Sequence, residues 1–371
     1  MVRACMYLEG LDRGGIETLC VNLIEPMRAC GCEPSFLVLK ERGYAYTDTV
    51  RAHSCTVDYL VSADRLADSG ALDYCKLMYR WARKNAGGID VLHMHISQLD
   101  NSLPLMLAAK MGGVRNVVLH SHTSKPTTRK IGAAHRACLP LLSVVRPSAL
   151  LACSDVAGEW MFGSRAYVKI ANGIDLARFR FDASARKRLR SELNLGDRVV
   201  LCCVGRFAKV KNHTFLLDVF KAFLDLRPDS CLLLVGSGEL EDELRAKSRW
   251  LGLEEDVVFA GLRDDVPSIL SASDCLVFPS IFEGLSIACV EAQANGIPAV
   301  LSDGVSPETV MSNKTAIVPL SSPPKEWAKV ILGQAARRFE PPRYTETFDA
   351  YDIRLTAASI VDVYQSILSA R

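Results

Sequence analysis

No stretch of this 371-residue chain approaches eighteen consecutive apolar residues, so a conventional membrane-spanning helix is not expected. Neither sign of charge is in excess: 44 Lys and Arg face 42 Asp and Glu, a formal net charge of +2. That balance gives no support to a nucleic-acid binder held by global charge. Aromatics make up only 7%, and no RNA-recognition module is present. The chain also lacks any CxxC. Its 13 cysteines are scattered singly through apolar segments, as at Cys20, Cys75, Cys231 and Cys289, with Cys30-Gly31-Cys32 and Cys202-Cys203 the closest spacings. This usage fits small buried hydrophobes in a reducing compartment. At the N-terminus the apolar stretch Met1–Leu8 is stopped by Glu9, Gly10 and Asp12 before a signal-peptide core could form. Short-period repeats and low-complexity tracts are missing as well. The chain reads as cytosolic.

What is present is a large apolar fraction, 49%, in a length that suits two domains. Short apolar runs alternate with helical patterns, the mark of parallel α/β architecture. Met1–Leu8 reads as a strand, Gly14-Gly15 as the turn after it, and Ile16, Leu19, Cys20, Leu23, Ile24 and Met27 as the apolar face of a helix. Strands are expected at Phe36–Leu39, Ile89–His93 and Val117–His120, with helices over Lys76–Arg83 and Leu103–Lys110. A boundary falls near Asn172-Gly173-Ile174-Asp175, followed by a charged, surface-like stretch from Arg178 to Arg190. A second series then begins, with strands at Val199–Val204, Cys231–Val235, Val257–Phe259, Cys275–Phe278 and Ala299–Leu301. Helices are expected over Phe215–Phe223 and Glu239–Leu251, and the tail Leu355–Leu368 reads as a helix packing back on the first domain. The expected domains are 1–172, joined by 355–371, and 173–354. Ligands in such sheets collect at the carboxyl ends of strands, and two similar domains suggest a cleft between them.

Several groups at those strand ends can carry chemistry. The Gly14-Gly15 turn opens a helix whose unpaired N–H groups favour anionic oxygens, although the GxGxxG spacing of a dinucleotide site is absent. Gly205-Arg206 follows a strand directly, and Lys211 lies five residues on. A guanidinium fork and a compact ammonium suit a diphosphate, whereas the bland alternative is a solvated basic loop. The sharpest segment runs Phe278-Pro279-Ser280-Ile281-Phe282-Glu283-Gly284-Leu285-Ser286 and on to Glu291. Eight residues of helix rise about 12 Å, too far for two carboxylates flanking one glycosidic bond but suited to the two ends of an extended ligand. Glu291, in an otherwise apolar helix, must face solvent or find a partner.

Histidines raise a metal question. His93-x-His95 and His120-x-His122 each put two imidazoles on one face of an extended segment. No carboxylate or thiol has ligand spacing beside them, so a ligand-facing strand end explains them more simply, and no metal is expected. Residues 101–154 hold Lys110, Arg115, Lys125, Arg129, Lys130, Arg136 and Arg146 and no acidic residue. Seven uncompensated charges point to an anionic partner: a lipid phosphate, a membrane surface or a pyrophosphate-linked acceptor. The neighbouring Leu139–Val145 reads as a core strand.

Taken together, Gly14-Gly15-x-Glu17, Asn172-Gly173-Ile174-Asp175 with Phe179, Gly205-Arg206 with Lys211, and Glu283 with Glu291 resemble the retaining glycosyltransferase family 4, over nearly the whole chain. The segments His120-Ser121-His122-Thr123 and Ala152-Cys153-Ser154-Asp155 resemble its subgroup making bacterial exopolysaccharide and capsule. The resemblance implies a GT-B fold, two Rossmann-like parallel-sheet domains facing each other across a cleft. It implies no cofactor and no required metal, with a nucleotide sugar, by preference a UDP-sugar, as substrate. Arg206 and Lys211 would hold the diphosphate, Glu291 the ribose and Glu283 the transferred sugar. Gly205, Gly284, Leu285 and Ser286 would complete the donor site, and Gly15 would let its loop approach the phosphates. The family's sugar-facing histidine falls at His120 or His122. The acceptor would be a saccharide, in the polyprenyl-diphosphate-linked case reached at the inner membrane face, with Lys125, Arg129, Lys130 and Arg136 toward anionic lipid. Ala171 and Ser286 depart from residues common in the family, which bears on donor choice. A GT-B sugar-nucleotide epimerase or phosphorylase would form product without an acceptor or require phosphate. A non-catalytic nucleotide-sugar or anionic-lipid binding protein would bind without turnover.

Overall fold

Val, Leu, Cys and Ala dominate the strand segments because parallel strands are covered on both faces. In the computed structural model, which describes residues 1–12, 14–41, 45–63, 70–123, 129–283 and 285–370 (129–131 by backbone alone), these segments build two separate sheets. The first contains β1 (Val2–Leu8), β2 (Cys32–Lys40), β3 (Val57–Val61), β4 (Val91–Ile96), β5 (Val117–Ser121), β6 (Ala149–Ala152) and β7 (Val168–Lys169). They pair in parallel in the order β3-β2-β1-β4-β5-β6-β7. The second contains β8 (Val199–Val204), β9 (Ser230–Val235), β10 (Val257–Gly261), β11 (Cys275–Phe278), β12 (Ala299–Ser302) and β13 (Thr315–Val318), also parallel, in the order β10-β9-β8-β11-β12-β13. Each is a Rossmann-like sheet, as the GT-B expectation requires. In each the strand order reverses beside the first strand, and the crevice at the carboxyl ends of β1 and β4, or of β8 and β11, is where ligands bind such sheets.

The chain divides into a unit of Met1–Ile174 with Ala350–Arg371 and a unit of Asp175–Asp349. Gly173, Ile174 and residues 350–354, expected in the second domain, therefore belong to the first unit. The physical reason is a close crossing. The Ile174 N–H donates to Tyr351 O and the Ile353 N–H donates to Ile174 O, while Thr356 Oγ1 donates to Ala171 O at 3.0 Å. A Cβ on Gly173 would lie 2.3 Å from Thr356 Oγ1 and 2.8 Å from the Ile353 Cα, so only glycine fits there. The C-terminal helix Ile353–Ser369 then buries Thr356, Ile360, Val361 and Tyr364 against the helix Ile24–Ala29 and β1.

Two local expectations are corrected. Leu139–Val145 is not a strand but a 3-10 turn, Leu139–Leu141, running into the short helix Leu142–Val145. Pro140 near the start of the turn favours it, and Arg146 ends the helix with φ +50°. The stretch from Arg178 to Arg190 is not simply a solvated surface. Within it the helix Ala183–Glu192 begins, capped by Asp182, and Arg186 and Arg190 each reach Asp274 at 2.7 Å. Arg338, buried, donates to Ser273 O and Asn295 Oδ1. These guanidinia line a cavity of about 360 Å³ at the amino ends of β8 and β11. They are occupied with carbonyls and Asp274, which marks this cavity as structural and remote from the strand ends that carry the candidate site.

Candidate active site

In the second unit the loop after β8 is tied both to the end of β9 with its following loop and to the loop after β11. Gly205 N–H donates to Val235 O, Phe207 N–H to Ser237 O and Ile281 N–H to Val210 O. A Cβ on Gly236, where φ is +140°, would lie 2.1 Å from Gly205 O, so the backbone after β9 can press onto the Gly205-Arg206 turn only as glycine. Gly304 does the same beneath Ser280 and Ile281, and Glu283 N–H donates to its carbonyl. This double support fixes the positions of Arg206, Lys211 and Glu283.

Lys211 Nζ lies 2.7 Å from Glu283 Oε1, with both side chains mostly buried, and 4.7 Å from the centre of the Phe278 ring. Arg206 is exposed, and its side chain has no hydrogen bond or ion pair among the described residues. Glu283 does not lie on a helix. It is extended, bridged to Val305, and the helix Ile287–Asn295 starts only after Ser286, so the helical rise between Glu283 and Glu291 does not apply. Ser286, buried, stands at the N-cap of that helix without a side-chain cap bond, leaving the first helical N–H groups available to an anion. Leu285 is buried beside it, and Gly284 lies outside the described residues.

Glu291 is held in the second turn of this helix, where burial pushes its carboxyl up to about 8 and Arg178 pulls the other way. At neutral pH it is therefore largely an acid, able to donate as well as accept toward a diol. Burial pushes the thiol of Cys289, two residues before Glu291, up to about 12.

In the first unit Gly15 opens the helix Gly15–Asn22 in an exposed position with no side-chain cap. Glu17, its carboxyl raised chiefly by burial, accepts from its own N–H at that helix start. The four histidines come together at β4 and β5, His93 and His95 on β4, His120 on β5 and His122 just past its end. Tyr364 Oη lies 2.5 Å from His93 Nδ1, and His93 Nε2 lies 3.1 Å from His120 Nδ1. Cys20 Sγ lies 3.3 Å from His95 Nε2, His95 Nδ1 2.9 Å from His122 Nε2, and His122 Nδ1 2.9 Å from Asn172 Oδ1. His93 stacks on His95 at 4.4 Å, and His120 lies tilted against His122 at 4.2 Å. Burial depresses all four, His93 to about 3 and His122 to about 4, so the cluster is neutral. Ring nitrogens of His93, His95 and His120 lie within 4.8 Å of one another, the spacing of a metal site. All of these nitrogens except His120 Nε2 meet one another, Tyr364, Cys20 or His122, as in hydrogen-bonded imidazoles.

Sequence reasoning placed these histidines at a ligand-facing strand end but missed Cys20, Tyr364 and Asn172 as their partners. No local signal links Tyr364 to His93 across 271 residues. Of the expected basic surface, Arg136 is exposed, Lys125 lies outside the described residues, and the side chains of Arg129 and Lys130 are likewise outside them.

Residues 198–335 match the family described as Glycosyl transferases group 1. A Bacillus subtilis protein named "Putative glycosyltransferase EpsF" is 30% identical over 98% of this chain and 96% of its own length. An Escherichia coli UDP-Gal:alpha-D-GlcNAc-diphosphoundecaprenol alpha-1,3-galactosyltransferase is 30% identical over 58% of each chain. Among solved structures, Anabaena Alr3699/HepE in complex with UDP-glucose shares the fold with a TM-score of 0.76 at 19% identity, over 100% of this chain and 99% of that one.

Proposed function

Because this chain belongs to the group 1 glycosyltransferases, we propose that it moves a sugar from a UDP-sugar to a lipid-linked saccharide, with retention of configuration, in exopolysaccharide or capsule assembly. The observation that carries the reading is the Lys211–Glu283 pair at the carboxyl ends of β8 and β11, together with Arg206 after β8, whose side chain has no ion pair among the described residues. Supporting it, the Escherichia coli relative is named for a UDP-sugar and a diphosphoundecaprenol acceptor, and the Anabaena protein was solved with UDP-glucose.

Arg206 and Lys211 grip the donor diphosphate with the free N–H groups of the helix Ile287–Asn295. Glu283 orients the transferred sugar and Glu291 the ribose. The acceptor hydroxyl attacks the face from which the phosphate departs, and the departing phosphate oxygen takes the proton. Catalysis is then positioning plus stabilisation of leaving-group charge, with no metal required.

The test is isothermal titration with UDP, GDP and ADP and their sugar conjugates in EDTA. Wild type is expected to select the UDP series. Glu291→Ala, which removes a ribose contact made through a buried carboxyl, is expected to weaken binding about tenfold or more. Absence of binding by a folded protein would refute the donor assignment.

Peripheral attachment to anionic lipid belongs to the same proposal. No helix among the described residues is long and apolar enough to cross a membrane. Leu107 and Met111, four residues apart on the helix Leu99–Met111, are exposed, as are Leu141 and Val144. Lys110 ties the two segments together through Val145 O and Arg146 O, so an apolar patch lies within the basic stretch. Sedimentation with phosphatidylglycerol vesicles is expected to show salt-sensitive binding, weakened about tenfold by charge removal at Lys125, Arg129 and Lys130. Equal binding to neutral vesicles at high salt would count against it.

A further inference from the structure

The structural cavity at the amino ends of β8 and β11 carries positive charge that its own walls do not balance. Carbonyl oxygens hold Arg186, Arg190 and Arg338 in place, but a carbonyl is a dipole and cancels no charge. Counter-ions are scarcer. Arg186 and Arg190 share one carboxylate, Asp274, whose Oδ2 also accepts from the Val200 N–H. Arg338 is only 5% exposed, and it donates to Ser273 O, Leu270 O and Asn295 Oδ1. Its Nη1 makes no hydrogen bond among the described residues, and no carboxylate there pairs with it. Beside it Lys314, 1% exposed, spends its ammonium on the carbonyls of Gly296, Arg338 and Glu340. Burial and the charge of Arg186 pull the Arg338 guanidinium down to about 10, which leaves it charged at neutral pH. A buried cation without a counter-ion is costly, and an anion in the adjoining space relieves that cost.

The cavity has room for one. Its volume of about 360 Å³ falls among small-molecule pockets, which span about 300–1,000 Å³. Arg227, just before β9, also lines it; this residue is exposed, and its side chain has no hydrogen bond or ion pair among the described residues. Of the other charged groups in the lining, Arg198 lies 3.9 Å from Asp256, and Asp197 is exposed. Five guanidinia thus face two carboxylates, Asp197 and Asp274. Much of the remaining wall is apolar, with Leu332 and Ala335 from the helix Pro324–Ala335 and the ring of Phe339, a residue 69% exposed. A bare ion would leave that wall wet, whereas a ligand with a carbon body would cover it.

We propose that this cavity binds a phosphate monoester, its phosphate among Arg186, Arg227 and Arg338 and its carbon body against Leu332, Ala335 and Phe339. Such an ester carries about two negative charges at neutral pH, which matches the surplus. Its three free oxygens accept from guanidinium forks, the geometry for which arginine is suited. Arg186 and Arg338 are already fixed by their carbonyl bonds, so little further side-chain ordering accompanies binding. The site lies within the second unit, at the strand ends opposite those that carry Lys211 and Glu283. It is therefore separate from the donor site, and it does not rest on the reading of sugar transfer.

The test is calorimetric titration of the full chain, in buffer free of phosphate, with glucose 1-phosphate, inorganic phosphate and glucose. Glucose 1-phosphate is expected to bind at a single site and to raise the melting temperature. Inorganic phosphate is expected to bind about tenfold more weakly, for want of apolar contact, and glucose not at all. Arg227→Ala is expected to weaken the ester about tenfold, the scale of one hydrogen bond to a charged group. The same variant should keep the melting temperature of the ligand-free protein, because an exposed side chain without partners supports no fold. Vesicles of equal parts phosphatidylcholine and phosphatidic acid present the same group on a lipid. Binding to them that depends on Arg227, in place of the soluble ester, would keep the site and name a lipid headgroup as its source. Absence of Arg227-dependent binding to both probes by folded protein would overturn the proposal. So would a loss caused by Arg206→Ala and not by Arg227→Ala, which would put the ester in the donor site. Equal affinity for inorganic phosphate would overturn the choice of an ester.

Discussion

Lys211→Ala is expected to lower kcat for sugar transfer by about a hundred- to a thousandfold, the scale for removing one charge-stabilising group from a developing anion. Lys211 is held between Glu283, 2.7 Å away, and the face of Phe278, so its ammonium is already fixed before any donor arrives. A group fixed in advance pays little reorganisation when charge grows on the departing phosphate, so the loss should fall on kcat more than on KM. Arg206 differs. It is exposed, and its side chain makes no hydrogen bond or ion pair among the described residues. Arg206→Ala should therefore leave thermal stability within about 0.5 kcal/mol while weakening donor binding and turnover. Lys211→Ala strands a mostly buried carboxylate and should lower the melting temperature measurably. Steady-state kinetics with thermal denaturation on both variants checks this. Full transfer by both would remove the diphosphate site from this loop and the mechanism with it.

Acidification is expected to unfold the first unit steeply between about pH 6.5 and 5. His93 titrates near 3 and His122 near 4 in the folded chain, and His95 and His120 lie well below their ordinary value of 6.5, all chiefly through burial. Unfolded histidines take up protons as pH falls through 6.5, whereas the folded ones do not. Their stabilising contribution is thus complete above 6.5 and is lost on the way down. Four protons give a slope of at most about 5 kcal/mol per pH unit, against typical stabilities of about 5–15 kcal/mol. Glu291 works the other way. Its folded value, raised to about 8, makes its contribution largest at low pH and lost as pH rises through 8, but it is one group against four. Urea midpoints measured from pH 8 to 4.5 should fall sharply below 6.5, and His95→Gln should flatten the slope. A midpoint constant from pH 6.5 to 5 would mean the imidazoles are solvated in the folded chain.

Leu139–Val145 contains the β-branched pair Val144-Val145 and so suggests a strand, yet Leu141 and Val144 are exposed and Pro140 opens a tight turn. Burial, not propensity, decides such short apolar runs. The charges of Arg186 and Arg190 looked solvent-facing because their counter-ion, Asp274, lies more than eighty residues away. Helical rise between Glu283 and Glu291 failed because Glu283 is bridged to Val305, which no pattern around it reveals.

Strand and helix succession, the glycines at the turns, and the spacing of Arg206, Lys211, Glu283 and Glu291 were determined by the sequence alone. Each depends on contacts or conformations local to the chain: buried apolar runs, backbone that only glycine can adopt, charges set at the ends of strands. The tertiary structure alone decided how the histidines are used. Their rings are joined to Cys20, Asn172 and Tyr364 by folding together segments up to 271 residues apart. A neutral imidazole takes its donor and acceptor ends from what each nitrogen meets in space, and no reading of neighbouring residues supplies that.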